Sequence, residues 1–453
     1  LHDALPISLR FEGYRVPEPS EDSVRTARVA LDGAEAVWVD CDFRRNGGTM
    51  GAVAGERIVR AYERATEQRL PVVATVSTGG ARLQEGMVAL VQMARTASAV
   101  ARHARAGLLS AAYLASPTTG GVFASWASLA DVRAAAPGAV IGFGGPRVVA
   151  QVTGEPPPAT SHTAESALRH GLVDAVVPEP ERWAWLSAAV GGRAWRRLVP
   201  PPGRPDAADP TPLPADPYAH LMRARGARRP SGVEWASWVT DSWVELAGSD
   251  PAMRAGLATI GGEHVVVVAM DRFAGLSPLH LPGPGAFRLV QRAARLAGRI
   301  GLPLVTFIDT PSADPAPGSE AGGVAGEIAR TLLAMAELPT VSVAVVVGEG
   351  GSGGAMALAH ADRLLMLEGS VFSVIGPEAG AAILYRDASR APELTRSFRI
   401  TGADLLQLGV ADDVVGEEVE LVRVAIQDAL ATATAGARDL RTDQVTACAL
   451  AKR

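Results

Sequence analysis

Two segments of this chain read alike, and a long segment written twice is expected to fold twice. Pro71 to Val76 is a short apolar run that ends in Ser77-Thr78-Gly79-Gly80-Ala81-Arg82. A helical pattern follows from Gln84 to His103, in which Met87, Leu90, Val91 and Ala94 share a face. A second apolar run, Leu108 to Ala115, leads into Ser116-Pro117-Thr118-Thr119-Gly120-Gly121. The second half repeats this order. Pro303 to Ile308 ends in Asp309-Thr310-Pro311, a helical pattern covers Gly326 to Leu338, and Val341 to Val347 runs into Gly348-Glu349-Gly350-Gly351-Ser352-Gly353-Gly354. Pro71 to Gly120 spans 49 positions and Pro303 to Gly353 spans 50. The copies stand 232 positions apart, Pro71 to Pro303, a period far longer than a solenoid repeat. It predicts two copies of one α/β domain with largely parallel strands.

Between the copies, residues 193–217 carry Pro200-Pro201-Pro202, Pro205, Pro210, Pro212, Pro214 and Pro217, which reads as a stiff linker. The expected division is an N-terminal arm at 1–28, a first domain at 29–192, the linker at 193–217 and a second domain at 218–453. Within the first domain, Asp32-Gly33 marks a hairpin turn and Gly47-Gly48-Thr49-Met50-Gly51 precedes a helix. The C-terminal stretch from Glu417 is alanine-rich and reads as packing helix.

Composition removes several functions. Lys452 is the one lysine among 43 basic residues, so neither a Schiff base nor a Walker-type phosphate loop is expected. The net charge of −5 and the lack of a basic tail point away from nucleic acid and anionic membrane. Two cysteines, Cys41 and Cys448, lack zinc-ligand partners at short spacing and suit a reducing, cytoplasmic setting. No apolar run has the length of a membrane span. Leu1 to Ser8 lacks an initiator Met and a basic n-region, and carries no signal-peptide pattern.

The chemistry is carried by the glycine turns. A Gly-Gly turn between a buried strand and a helix allows close approach to the main chain and presents free N–H groups. One such turn could bind a phosphate. Two in tandem suit a reaction in which two oxygens gain negative charge, where preorganised N–H donors are usually the largest electrostatic contribution. Gly348 to Gly353 lacks a convincing acidic residue on the next strand for dinucleotide binding. Ser352 has no His and Asp partners in the expected order and reads as a small turn residue.

Several longer runs carry a family resemblance. In the first half these are Asn46-Gly-Gly-Thr-Met-Gly51, Thr78-Gly-Gly-Ala-Arg-Leu-Gln-Glu-Gly86, Pro117-Thr-Thr-Gly-Gly-Val122 and Ile141-Gly-Phe-Gly-Gly-Pro-Arg147. They resemble the beta subunit of the acetyl-CoA carboxylase carboxyltransferase. Val305-Thr-Phe-Ile-Asp-Thr-Pro311, Val347 to Ala355, Asp362-Arg363, Tyr385 and Ser373-Val-Ile-Gly-Pro-Glu378 resemble its alpha subunit. The resemblance covers roughly Ala27 to Gly416, in the family's order.

It implies a crotonase-like (ClpP/crotonase) fold in both halves, with acetyl-CoA or another acyl-CoA in one and carboxybiotin in the other. In that family biotin arrives on a separate carrier protein and is recarboxylated, with ATP, by a biotin carboxylase. Loss of the carboxyl group leaves a ureido oxyanion and a nitrogen able to take the methyl proton of the thioester. Mapped by motif, Gly120 and Gly121 serve the thioester enolate, and Gly353 and Gly354 the biotin carbonyl. Gly79, Gly80, Ala81 and Arg82, with Gly350 and Gly351, line the binding walls. For Arg82 a structural ion pair is an equal alternative. A homodimer or larger assembly is implied. Related readings are a decarboxylase, a carboxyltransferase for another acyl-CoA, or a non-catalytic paralogue.

The sequence also departs from the family. Only Cys41 stands where a four-cysteine zinc ribbon is usual, so no zinc is expected. Ser312-Ala-Asp-Pro-Ala316 replaces Gly-Ala-Tyr-Pro-Gly, and Met270 to Pro284 replaces a polar, lysine-bearing stretch. Phe372 and Gly376 stand where Tyr and Ser are common. These changes fall near the expected biotin side.

Overall fold

The computed structural model describes residues 14–192, 195–274 and 280–451. The readings of the chain start, of the first 13 residues of the arm, of positions 193–194, of 275–279 within the Met270–Pro284 stretch and of Lys452 lie outside those residues. The chain divides into two units, Leu1–Ala194 and Trp195–Arg453.

In the first unit β1 (Val24–Leu31) and β2 (Ala34–Cys41) form an antiparallel hairpin. Its turn is the expected Asp32-Gly33, with φ of 48° and 90°. Then β2, β3 (Val72–Thr78), β4 (Ser110–Thr119), β5 (Val132–Ala135) and β7 (Ala175–Val176) lie parallel, and β6 (Ile141–Gly142) pairs with the end of β4. Helices α1 (Ala52–Glu67) and α2 (Met87–Arg105) follow β2 and β3. Helix α1 buries Ala54, Ile58, Ala61, Tyr62 and Ala65, the three-and-four spacing of one helical face.

The second unit opens with an antiparallel meander, β8 (Ser242–Leu246), β9 (Met253–Ile260) and β10 (Glu263–Met270). Strands β10, β11 (Leu304–Thr310), β12 (Ser342–Gly351), β13 (Arg363–Leu367) and β15 (Asp413–Val415) are parallel, and β14 (Val371–Ser373) pairs with the end of β12. Every residue of β11 and β12 is buried, as expected of parallel strands covered on both faces. Alternate residues Val265, Val267, Val305, Phe307, Val343 and Val345 pack with helices α3 (Gly232–Val239) and α7 (Val419–Thr432). Helices α4 (Pro284–Ile300), α5 (Val324–Ala336) and α6 (Ser352–Ala359) lie between these in sequence. Helix α6 meets the other set, since Thr306 Oγ1 donates to the Leu358 carbonyl.

Three sequence boundaries shift. Strand β1 starts at Val24, and Asp22 and Ser23 are fully buried, so the last residues read as an arm belong to the first unit. The stretch from Trp195 to Pro217 goes with the second unit. There Leu198 joins the core and the Arg196 carbonyl accepts from the Trp243 amide, which holds the proline-rich chain against the sheet. Finally, β12 runs through Gly351 where the apolar pattern ends at Val347, because β14 offers a parallel partner to Glu349, Gly350 and Gly351.

The duplication is visible in the hydrogen-bond register. Val72 and Val76 pair with Ser110 and Leu114, then Thr78 pairs with Thr118. Leu304 and Ile308 pair with Ser342 and Val346, then Thr310 pairs with Gly350. In both halves the strand that leads into the glycine turn, β4 or β12, takes up two residues more than its neighbour just before that turn.

Candidate active-site turns

The first turn starts where β4 ends. Gly120, at φ 66°, opens a helical turn, Gly120–Val122, and its amide donates to the Phe143 carbonyl at 2.8 Å. Gly80 lies directly against it. A Cβ on Gly120 would stand 2.8 Å from the Gly80 Cα, and one on Gly80 would stand 2.9 Å from the Gly120 Cα. Neither position admits a side chain. Gly80 donates to Thr78 Oγ1, whose hydroxyl donates to the Gly48 carbonyl, and the Gly79 amide donates to the Gly47 carbonyl. The Asn46–Gly48 motif is therefore the base on which the 78–80 loop rests. The Gly120 amide is thus satisfied by Phe143, which leaves Gly121, the second residue of the turn, at a position where a helix leaves its N–H without an intrahelical acceptor.

In the second half β12 ends at Gly351 and α6 begins at Ser352, which holds φ 59° without being glycine. The register makes Ser352 the counterpart of Gly120 and Gly353 that of Gly121. The correspondence read from the sequence, Gly120-Gly121 with Gly353-Gly354, is thus one residue out. Pro71 to Gly120 and Pro303 to Ser352 both span 49 positions. Gly353 lies in the first turn of α6, where a helix leaves its N–H groups without an intrahelical acceptor. Gly353 is exposed, and a Cβ there would meet nothing closer than Ile328 Cγ2 at 3.7 Å. Gly354 is buried, its Cβ position 2.7 Å from the Ala313 amide nitrogen.

Three wall residues need correction. Arg82, read either as a wall residue or as a structural ion pair, is the latter: it is 2% exposed and fully engaged. Its guanidinium donates to Asp22 Oδ1 and Oδ2 at 2.8 and 3.0 Å, to Glu85 at 3.2 Å and to the Thr49 carbonyl at 2.7 Å. Burial opposes charge on Asp22, but the Arg82 hydrogen bonds outweigh it and hold that carboxyl below its ordinary range. Glu85 also accepts from the Ala52 amide at the start of α1, so this ion pair joins the loop to the helix. Gly350 and Gly351 are buried strand residues. A Cβ at Gly350 would stand 2.9 Å from the Phe372 ring, and one at Gly351 would stand 1.9 Å from the Pro311 carbonyl oxygen. Gly79 is exposed and Ala81 half-buried beside the first turn, where Ala81 bridges Met50.

Sequence reasoning did not single out the charges behind the second turn. Glu349 is 1% exposed and receives two hydrogen bonds from Arg225, each 2.8 Å, while Arg225 also donates to Glu378. Asp309 is fully buried and accepts from Arg272 Nη1 at 3.0 Å and from the Glu349 amide at 3.1 Å. Burial pushes the Asp309 carboxyl up to about 6, against the pull of Arg272. The available signal was two acids at the ends of otherwise apolar strands.

The altered loop has its own internal supports. Thr310 Oγ1 donates to the Ser312 carbonyl, and Asp314 accepts from the Ala316 amide and from Ser319 Oγ. No helix among the described residues is long and apolar enough to cross a membrane.

Comparison with known proteins agrees with this geometry. Residues 215–444 match the family described as acetyl co-enzyme A carboxylase carboxyltransferase-like. The chain is 42% identical over 434 residues to the acetyl-coenzyme A carboxylase carboxyl transferase subunits beta/alpha of Salinispora tropica, covering 92% of this chain and 77% of that one. It is 37% identical to a probable biotin-dependent acyl-coenzyme A carboxylase beta3 subunit of Mycobacterium bovis, covering 94% and 86%. The transcarboxylase 12S structure, with methylmalonyl-coenzyme A and methylmalonic acid bound, shares the fold at a TM-score of 0.72 and 21% identity, over 90% of this chain and 81% of that one. Two crotonase-like units in beta-then-alpha order, each with a strand-to-helix glycine turn, place the chain in the acetyl-CoA carboxylase carboxyltransferase family, as a biotin-dependent acyl-CoA carboxyltransferase.

Proposed function

We propose that the chain moves a carboxyl group from carboxybiotin, held on a separate carrier protein, to acetyl-CoA, giving malonyl-CoA for fatty acid synthesis. The observation that carries this reading is the duplicated turn, which gives one set of main-chain donors for each of two oxygens. Gly121 faces the thioester oxygen of the acceptor as its methyl carbon loses a proton. Gly353 holds the ureido oxygen of biotin. That fit rests on the open Gly353 position and on its place in the first turn of α6, where N–H groups have no intrahelical acceptor. Carboxybiotin supplies the carboxyl group and, afterwards, the base, so the chain needs no lysine or histidine for proton removal. Its own work is to hold two charges in low-dielectric surroundings, where fixed dipoles act most strongly.

Acting in the cytoplasm, the enzyme would work as a homodimer or larger assembly with a biotin carboxyl carrier protein and a biotin carboxylase. The Mycobacterium bovis relative favours testing other acyl-CoA acceptors alongside acetyl-CoA. Purified full chain is supplied with malonyl-CoA and free biotin or biotinyl carrier, and carboxyl exchange is followed. Exchange with malonyl-CoA is expected. Exchange only with a longer carboxyacyl-CoA would reassign the acceptor, and none with any short-chain ester would exclude the reading.

A further inference from the structure

Asp309 sits at the end of a strand, Leu304–Thr310, in which every residue is buried. An ionised carboxylate there is costly unless paired. One oxygen is well served: Oδ1 accepts from Arg272 Nη1 and from the Glu349 amide. The other, Oδ2, has no hydrogen-bond partner. The place this acid occupies is specific. Strand β12 has just taken up its two extra residues, and Asp309 Oδ1 stands 2.0 Å from where a Gly348 Cβ would be. The carboxylate fills the missing side chain of Gly348 and holds the next amide.

The first half shows that the slip itself does not require a charge. Its counterpart to Asp309 is Ser77, a neutral hydroxyl that donates to the Ser116 carbonyl at 3.0 Å. In the second half the polarity is reversed, with an acid accepting from an amide. The charged groups facing Asp309 are Arg272, beyond β10, Arg229, ahead of α3, and Glu349, on β12. Glu349 in turn is held by Arg225, which also binds Glu378. Two ion pairs on adjoining strand ends therefore fix the Gly348–Glu349 peptide, three residues before Ser352.

Resting on the reading of the second turn as the biotin-side donor, we infer that Asp309 is a positioning residue whose ionised carboxylate sets the Gly348–Glu349 peptide and so aims the Gly353 amide. It touches no substrate. Its effect falls on turnover rather than on acyl-CoA binding, and is lost when the carboxyl takes up a proton, in the region of pH 6.

The test uses the full chain. In wild type, kcat for malonyl-CoA:biotin exchange should fall on the acid side of pH 6 while KM for malonyl-CoA stays flat. Asp309→Asn should lower kcat at pH 7.5 by about tenfold or more, leave KM within about twofold and abolish the acid limb. Gly348→Ala, which displaces the carboxylate, should match it at pH 7.5. Hydrogen–deuterium exchange gives an arm independent of chemistry: in Asp309→Asn, amides 348–354 should exchange at least about fivefold faster, with 116–122 unchanged. Wild type without carboxyl exchange would refute the functional reading, and the deuterium arm would still decide the positioning role. Unchanged protection at 348–354, or an Asn variant that keeps wild-type kcat and acid limb, overturns the inference. If neither variant folds, a wild-type kcat flat from pH 7.5 to 5.5 overturns it.

Discussion

In the first half Gly80 lies against Gly120 with no side chain between them; at the same two positions the second half carries Ser312 and Ser352. The backbone path is shared, including the two-residue slip and the left-handed residue that opens the helix, at φ 66° and 59°. The support differs. The first loop is clamped by backbone contact and by the buried Arg82–Asp22–Glu85 cluster. In the second, the position matching Arg82 is Asp314, half-buried and with a carboxylate bonded, among the described residues, only to Ala316 and Ser319, and charge has moved to the strand ends at Asp309 and Glu349. One turn is closed and the other open, the contrast that the proposed division between a thioester oxygen and a biotin oxygen would use. The shared path comes from the sheet, and the difference comes from which neighbours hold it.

Breaking the first clamp should have the largest effect. Arg82→Ala leaves Asp22 and Glu85 buried without their partner and is expected to cost about 3–5 kcal/mol, read by denaturant unfolding. If Arg82 instead bound substrate, stability would hold and KM for acyl-CoA would rise. Next, Gly120→Ala forces a Cβ into Gly80 and displaces the Gly121 amide. Loss of one such donor lowers kcat by roughly 10²–10³-fold, and near-normal exchange would remove this turn from the mechanism.

Asp309→Asn sharpens the contrast through pH. Because burial raises the folded-state value above the ordinary one, Asp309 contributes stability that is present below about pH 4 and lost as pH rises through about 6. Relative to wild type, the Asn variant should therefore gain up to about 3 kcal/mol between pH 4 and pH 7. A stability difference that does not change with pH would contradict a buried ionisable acid. In contrast to Arg82, Asp314→Ala should cost only about 1 kcal/mol, seen as a small shift in melting temperature. Smallest of all is Ser352→Gly. It relieves roughly 1 kcal/mol of left-handed strain but adds freedom to the unfolded chain, so net stability should move by less than about 1 kcal/mol. A large loss would mean that the Ser352 hydroxyl has a partner of its own.

Much of this was legible because the determinants are local. Apolar runs such as Val265–Val268 and Val343–Val347 announce buried strands, Asp32-Gly33 announces its hairpin, and the repeat spacing announces the duplication. The glycine turns were found for the same reason. What escaped depends on contacts distant in sequence. Strand β12 extends to Gly351 only because β14 pairs with it, and that extension moves the correspondence between the turns by one residue. Arg82 reads equally well as a ligand or an ion pair until Asp22, 60 positions away, is seen against it. The Asp309–Arg272 and Glu349–Arg225 pairs likewise join residues separated by 37 and 124 positions.

The shared count of 49 residues from proline to turn, with no loop between the last strand residue and the first helical one, also limits how such a protein can change. An inserted or deleted residue in β4 or β12 would exchange the two faces of the strand and put apolar side chains where backbone now meets backbone. Acceptor preference and carrier fit must then diverge by replacement of one residue with another, or in the loops that face these turns. The Ser312–Ala316 segment, altered in residue type but equal in length to the pattern it replaces, is change of that kind.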